Sequence, residues 1–125
     1  MNDVSMVVLI VLHRSERWLN VCLSSFDKAC RAKGADILVV SDRADFLSPL
    51  SCGRAVSTIC GHEPLGFAEA NNFGLVSGAL EREYICFLNQ DTVSLTPWLD
   101  ACVECLERRP EVGAVMPLIT NYDGT

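Results

Sequence analysis

Asp91 is the residue whose type and position best suit metal chemistry. It closely follows residues 84–88, an apolar run that predicts a buried strand. A hard divalent cation takes oxygen ligands, commonly one or two carboxylates together with substrate phosphates. Asn89 lies two residues earlier, on the same side of an extended chain, and would add a carbonyl oxygen. The alternative interpretation is structural: an aspartate that caps a turn beside Thr92.

A second segment suits a phosphate. Residues 66–74 are Gly-Phe-Ala-Glu-Ala-Asn-Asn-Phe-Gly, with Gly66 just before a predicted helix. The amino end of a helix offers unpaired N–H groups and a positive dipole, which favour a diphosphate. The segment lacks the spacing of a Walker or dinucleotide fingerprint. The alternative is a helix whose small residues allow close packing on a sheet.

Two further polar residues, His13 and Asp42, each follow a predicted strand. A carboxylate at the position of Asp42 can accept hydrogen bonds from a base or a ribose. The alternative is a solvated loop acid near Arg43, the usual fate of a surface aspartate. His13 is either a ligand contact or an ordinary loop histidine.

Seven cysteines are present, an odd number, and most have apolar neighbours. This pattern favours reduced, buried thiols in a cytosolic protein. Cys102 and Cys105 have the spacing of a zinc pair, and Cys60 and His62 would supply two more ligands. Because the pair falls inside a helical pattern, whereas structural zinc pairs usually lie on tight turns, we expect small apolar residues instead.

The hydrophobic pattern predicts the elements that position these residues. Strands are expected over 5–12, 36–40, 55–60, 84–88 and 112–118, and helices over 16–33, 67–80 and 97–109. This alternation predicts a single α/β domain over 1–125, with a mostly parallel sheet flanked by helices. Ligands bind beyond the carboxyl ends of the strands in such sheets. The candidate residues fall at those ends.

Charge and hydropathy exclude several function classes. The net charge is −6 and the sequence pI is about 4.7, which disfavours nucleic-acid binding. The longest apolar run, residues 6–12, is too short to span a bilayer. The amino terminus has no basic cluster and does not resemble a signal peptide. A cytoplasmic location is expected, and peripheral membrane association stays open.

Two segments together resemble the family 2 glycosyltransferases. Residues 66–74 are similar to the family's Gly-Phe-Ala-x-Ala-Asn-Asn-x-Gly block, and most similar to its rhamnosyltransferase-type branch. Residues 84–92 contain Leu-Asn-Gln-Asp, which resembles a family variant of the metal-binding Asp-x-Asp motif. Residues 97–99 and 113–117 match the usual continuation. In this order and spacing the motifs are specific, and they cover nearly the whole chain.

The resemblance implies the A-type, Rossmann-like fold of nucleotide-diphospho-sugar transferases. It implies that Asp91 binds Mg²⁺ or Mn²⁺, which bridges the diphosphate of a UDP- or dTDP-sugar and acts as a Lewis acid on the leaving group. Asp42 matches a position that contacts the nucleotide base. The donor-binding residues expected on this basis are His13, Asp42, Gly66, Phe67, Asn71 and Asn89.

The sequence departs from the family pattern in three places. Leu12-His13-Arg14 replaces the family's Thr/Asn-Tyr-Asn after the first strand, Ser41-Asp42 replaces an Asp-Asn or Asp-Asp pair, and Pro64 stands where Asn is usual. These changes affect the expected base contacts more than the metal site. Family members are also considerably longer, and their acceptor-binding half and catalytic base lie beyond the position of Thr125.

The chain is therefore expected to be the amino-terminal, donor-binding half of a longer enzyme, with its catalytic base unassigned. The expected function is an inverting glycosyltransferase that transfers a sugar to a glycan acceptor in polysaccharide biosynthesis. The alternatives are a non-catalytic nucleotide-sugar binding module and a structural α/β remnant without the acceptor half. Self-association through a bare sheet edge is a further expectation.

Overall fold

The structure is a computed structural model that describes residues 5–12, 16–31, 35–41, 56–60, 66–123 and 125. The elements in chain order are β1 (Met6–Leu12), α1 (Glu16–Ala29), β2 (Ala35–Ser41), β3 (Val56–Cys60), α2 (Phe67–Gly74), a π-helical turn (Leu75–Ala79), β4 (Tyr84–Asn89) and α3 (Trp98–Arg108). None of the helices in these ranges is long and apolar enough to cross a bilayer.

The four strands form one parallel sheet in the order β3-β2-β1-β4. β1 pairs along its whole length with β2 and along most of it with β4. Buried side chains of α1 and α3 pack on one face of the sheet, and α2 packs on the other. The predicted α/β class, a parallel sheet flanked by helices, is confirmed.

The larger core lies under α1 and α3. Because β1 is central and covered on both faces, its continuous apolar run is almost fully buried. α1 contributes residues at helical spacing, which place one apolar stripe against the sheet. The buried residues of the two helices in this core are Leu19, Cys22, Leu23, Phe26, Cys30, Leu99 and Val103.

The smaller core lies under α2 and depends on a close helix–sheet approach. A Cβ placed on Gly74 would lie 2.5 Å from Leu9 Cδ1 and 3.0 Å from Val40 Cγ2. A glycine at this position therefore lets the helix backbone sit directly on β1 and β2. Close packing, one of the two interpretations of residues 66–74, is confirmed at Gly74.

The amino edge of the sheet is joined by one side chain. Arg82 donates to the carbonyl oxygen of Met6 at 3.1 Å and to Asp36 Oδ2 at 2.7 Å. These contacts link the segment before β4 to the first residue of β1 and the second residue of β2. The amino edge is thus held together from β2 to β4, while the candidate ligand residues lie at the opposite edge.

The predicted fifth strand is wrong. Residues 112–118 form no strand with the part of the chain that the structure describes. A strand needs a neighbour that accepts its backbone hydrogen bonds, and this segment pairs with none of the four described strands. Its apolar side chains are instead exposed, including Met116 and Leu118. The apolar composition of the segment therefore does not reflect burial in this sheet.

Helix bounds also differ from the prediction. α1 ends at Ala29 because the N–H of Arg31 bonds to Asp100 Oδ2 at 2.8 Å, which takes it out of the helical ladder. The helix predicted over 67–80 is α-helical only to Gly74, and a π-helical turn follows. The helix predicted to begin at Pro97 begins one residue later, since Pro97 is the N-cap of α3.

Candidate functional site

The candidate metal residue lies in a tight turn after β4. The strand ends at Asn89, and the chain turns through Gln90 and Asp91. The hydroxyl of Thr92 donates to the Asn89 carbonyl oxygen at 2.8 Å and closes the turn. The expectation that Asn89 and Asp91 share one side of an extended chain is wrong, because the extended conformation stops at Asn89. Thr92 makes the turn contact, and the exposed Asp91 projects from it.

The start of this turn is supported from below by α1. The Cys22 thiol donates to the Asn89 carbonyl oxygen at 3.6 Å and lies 3.5 Å from Thr92 Oγ1. Cys22 is buried in the larger core, and this burial raises the pKa of its thiol. The thiol therefore stays protonated and keeps its hydrogen to donate. Nothing in the sequence indicates this contact, since Cys22 and Asn89 are 67 positions apart.

The Asp91 side of the turn is supported by Tyr122. The Tyr122 hydroxyl donates to the carbonyl oxygen of Asp91. Its ring is stacked on the indole of Trp18, with centroids 6.1 Å apart and planes inclined by 13°. The helical spacing of the apolar residues in 16–33 predicts Trp18 on the buried face of α1, but Trp18 is 41% exposed and lies at the margin of that face. Neither residue was expected near Asp91, since 30 and more positions separate each of them from it.

The residues that follow the turn are tied to α1 by serines. Ser25 Oγ accepts a hydrogen bond from the Ser94 N–H at 2.9 Å and donates to the Cys22 carbonyl oxygen at 3.0 Å. Trp98 Nε1 donates to Ser94 Oγ at 2.9 Å. An open groove between α1 and this segment is lined by Val21, Ser24, Lys28 and Leu95, among others, and does not reach Asp91. The exposed Asp91 therefore lies at the edge of the sheet and outside this groove.

The predicted phosphate-binding end of α2 is open. Gly66 is its N-cap in an extended conformation, and no side chain caps the first turn in this described segment. Phe67 is exposed beside it. The side-chain amide of Asn71 donates to the Phe67 carbonyl oxygen at 3.0 Å, within its own helix. The first N–H groups of α2 have no intrahelical acceptor and no side-chain cap at Gly66, while Asn71 makes a local contact.

The strand order determines where these residues meet. α1 follows β1 toward β2 on one face, and α2 connects β3 to β4 on the other, so the connections diverge between β1 and β4. Ligands bind in the crevice at such a switch point, beyond the carboxyl ends of the strands. The Asn89–Asp91 turn lies there. Gly66 begins α2, which packs on β1 and β2 on the other face of the sheet.

Two predicted donor residues, His13 and Asp42, lie outside the described residues. They follow β1 and β2 in sequence, which are the central strands of the sheet. Gly66, Phe67, Asn89 and Asp91 all lie at the carboxyl edge, as predicted from the parallel topology. Their role toward a donor stays a prediction.

The donor set at Asp91 fits one kind of metal. Among the residues that the structure describes, no group of three or more His, Cys, Asp and Glu side chains could hold an ion. A cation that needs a complete protein cage, such as structural zinc, is therefore not accommodated by these residues. Mg²⁺ and its relatives keep several waters and add substrate phosphates to one or two carboxylates. A single exposed aspartate at a ligand-binding edge fits that pattern.

The cysteine pair once considered for zinc is part of the protein interior. Cys102 is buried on α3, and Cys105 is half-buried. Cys86 of β4 faces the same core, where burial raises the pKa of its thiol to about 12. Thiols held in the protonated form are poor metal ligands, since zinc binds the thiolate. The expectation that these cysteines act as small apolar residues is supported.

Comparison with known proteins finds similarity in structure but not in sequence. No protein-family model matches the chain, and no curated protein matches it in sequence. Solved structures do match. S. aureus TarS superposes with a TM-score of 0.63 at 17% identity, over 85% of this chain and 20% of TarS. A structure of TarS residues 1–349 gives the same TM-score at 16% identity, over 91% of this chain and 38% of that one.

The parallel sheet with its flanking helices has the same fold as the matched part of TarS. At these identities the likeness concerns the fold alone, and it agrees with the A-type fold that the motifs of residues 66–74 and 84–92 imply. The chain spans less than two fifths of the length of either TarS structure. The rhamnosyltransferase-type branch has no counterpart in these matches.

Proposed function

We propose that the chain is the donor-binding part of an inverting glycosyltransferase that takes a UDP- or dTDP-linked sugar and delivers it to a glycan acceptor. The observation that carries this proposal is the placement of Asp91. It is an exposed carboxylate in the turn after β4, beside the switch point of a glycosyltransferase-type sheet. The resemblance of residues 66–74 and 84–92 to family 2 motifs supports a cytoplasmic role in polysaccharide biosynthesis.

The proposed site assigns different parts of the donor to different parts of the edge. Asp91 holds Mg²⁺ or Mn²⁺, which neutralises charge on the leaving nucleoside diphosphate. The open first turn of α2, from Gly66, offers N–H donors to a phosphate oxygen. Asp42 and His13 follow the central strands and would contact the nucleoside. An acceptor site and the catalytic base would come from residues outside this set.

The contacts that close the turn leave the carboxylate of Asp91 free to act as a metal ligand. Thr92 closes the turn and Cys22 supports it, so the Asp91 carboxylate is not consumed by the structural contact that an aspartate in a turn often makes. A metal site at this edge requires a carboxylate that is free to bind the ion. This observation favours the metal interpretation of Asp91 over the capping one.

The test is calorimetric titration of the chain with UDP and with dTDP, each with and without Mn²⁺. We expect binding that requires the metal, and a loss of affinity on the order of 10–100-fold or more in Asp91→Asn, since the variant removes the ligand charge. Glu111→Gln is the matched control, because Glu111 is an exposed acid that pairs with Arg109 after α3 and lies outside the turn that contains Asp91. It should bind as the unmodified chain does.

The outcomes separate the candidate functions. Metal-dependent binding that Asp91→Asn abolishes supports a donor site, and a transfer assay with the longer protein then distinguishes an enzyme from a non-catalytic binding module. Equal affinity in Asp91→Asn and Glu111→Gln would place the metal elsewhere. Absence of binding to both nucleotides would refute an autonomous donor site and favour a structural α/β remnant.

A further inference from the structure

We infer that Tyr122 and Trp18 are positioning residues that hold the backbone of Asp91 in its metal-binding geometry. The inference rests on the proposed function of Asp91 and adds residues that no motif includes. It follows from the contacts around the turn between β4 and Ser94, which is held at its two ends by different means.

The first end of the turn is anchored in the core. The Asn89 carbonyl oxygen accepts from the thiol of Cys22 and the hydroxyl of Thr92. Cys22 is 1% exposed and packs in the larger core, so this anchor moves only with the core itself. Asn89 is also the last residue of β4, and β1 pairs with it through Val11.

The second end of the turn is anchored through Tyr122. The carbonyl oxygen of Asp91 accepts a hydrogen bond from the Tyr122 hydroxyl, and the two residues are 31 positions apart in the sequence. The direction of an aspartate side chain follows from its backbone, because only two side-chain torsions separate the carboxylate from Cα. A contact that fixes the Asp91 carbonyl therefore also restricts the directions open to the carboxylate.

Tyr122 in turn is held by α1. It belongs to the segment after α3, which has no strand partner among the described residues, and its ring is 65% exposed. The stack on Trp18 gives this ring a fixed partner, with nearly parallel planes. Trp18 and Cys22 are four residues apart on α1 and so lie on the same side of the helix. One side of one helix thus supports both ends of the turn.

The hydroxyl of Tyr122 is the group that contacts the backbone of Asp91. Removing it leaves the stack and the fold in place but frees the Asp91 end of the turn. Because a neutral hydrogen bond contributes modestly to net stability, we expect a two- to tenfold loss of metal-dependent nucleotide affinity in Tyr122→Phe. Trp18→Leu should lower the affinity through the same contact, and the double variant should lose no more than the larger single loss.

The chain contains its own control. It has two tyrosines, and the other one, Tyr84, donates its hydroxyl to Glu107 Oε1 at 2.6 Å on the exposed surface. Tyr84→Phe therefore removes a tyrosine hydrogen bond, in this case to a carboxylate and so the stronger of the two, that does not touch the turn. A general effect of losing a phenol hydroxyl would appear equally in both variants, whereas a positioning effect would appear in Tyr122→Phe alone.

The first measurement is hydrogen exchange of the ligand-free chain, read on peptides that cover residues 89–95. Faster exchange in Tyr122→Phe than in Tyr84→Phe is expected, since the turn opens more often when its second anchor is lost. Equal exchange in the two variants would overturn the inference whether or not the chain binds a nucleotide.

The second measurement is titration of the same variants with Mn²⁺ and UDP, and with Mn²⁺ and dTDP, below the unfolding temperature of each. A lower affinity in Tyr122→Phe than in Tyr84→Phe supports positioning. Unchanged affinity in Tyr122→Phe, with binding intact in the unmodified chain, overturns the inference and leaves the proposed function standing. If the unmodified chain binds neither nucleotide, the proposed function fails and the positioning role fails with it.

Discussion

β1 and β4 are paired neighbours in the same parallel sheet, yet they differ in almost every property that concerns function. β1 is central, and six of its seven residues are buried. β4 is an edge strand with no fully buried residue, and it alternates between two environments. Tyr84, Cys86 and Leu88 pack toward the larger core, whereas Phe87 on the other side is 56% exposed.

The difference shows how one sheet can serve both stability and binding. The central strand supplies buried area, and its apolar run has no room for a polar group that a ligand could reach. The edge strand keeps one face on the core and ends in the turn that presents Asp91. That turn is exposed at Asp91, and no strand among the described residues pairs with the outer side of β4.

The largest expected difference in stability between the two strands involves two paired residues of the sheet. Leu9 of β1 and Phe87 of β4 are partners in the strand ladder. Leu9→Ala should lower the free energy of unfolding by about 2–5 kcal/mol, because Leu9 is fully buried. Phe87→Ala should cost under about 1 kcal/mol, since more than half of its surface is already in water. Urea unfolding of both variants measures the contrast.

A large cost for Phe87→Ala would break the comparison in an informative way. It would mean that Phe87 is covered in solution, and a dependence of that cost on protein concentration would identify a second copy of the chain as the cover. A concentration-independent cost would instead point to cover from within the chain.

A smaller effect is expected from the glycine that brings α2 onto the central strands. Gly74→Ala places a methyl group against Leu9 and Val40, and the overpacking cost of about 1–3 kcal/mol exceeds the helix-propensity gain of about 1 kcal/mol. The expected net loss of stability is therefore about 1 kcal/mol. Gly113→Ala is the control, because a Cβ there meets nothing within 4 Å. Thermal unfolding should separate the two, and a more stable Gly74→Ala would contradict the close packing.

The test with the smallest effect on the structure compares the labelling rates of two thiols, one on each outer strand of the described sheet. Cys60 at the end of β3 is exposed, whereas burial holds the pKa of Cys86 on β4 at about 12. Since the thiolate is the reactive form, each unit by which the pKa exceeds the pH lowers its fraction tenfold. At neutral pH a thiol reagent should label Cys60 well before Cys86, and the labelling of Cys86 should increase with pH up to about 12. Mass spectrometry of Cys60→Ser and Cys86→Ser assigns the two sites, and early labelling of Cys86 would mean that the core face of β4 opens.

The central elements of the fold were predictable from sequence because local pattern and tertiary environment agree there. β1, α1, β2 and α3 have apolar residues at the spacing of their own secondary structure, and each is buried on the expected face. The candidate metal residue was also predictable, since the parallel topology places the end of β4 at the ligand edge.

The predictions that failed depend on what lies beside a segment. Residues 112–118 are as apolar as a strand, but pattern alone does not provide a hydrogen-bonding neighbour, and the segment stays unpaired. The contacts of Cys22, Trp18 and Tyr122 around the turn join residues far apart in sequence. No periodicity marks such contacts, so their role at Asp91 became visible only in three dimensions.

The Arg82 contacts at the amino edge bear on the order in which the sheet assembles. β2 follows β1 after one helix, but β4 must find β1 across a long stretch of chain, and such non-local pairing slows folding. A slip of one residue in β4 would turn Phe87 into the core and Cys86 into water. Arg82 reaches both the Met6 carbonyl oxygen and Asp36 only when β4 is correctly aligned. A partly exposed ion pair adds little to equilibrium stability, but its loss in a slipped register would add to the energy gap that favours the aligned strand.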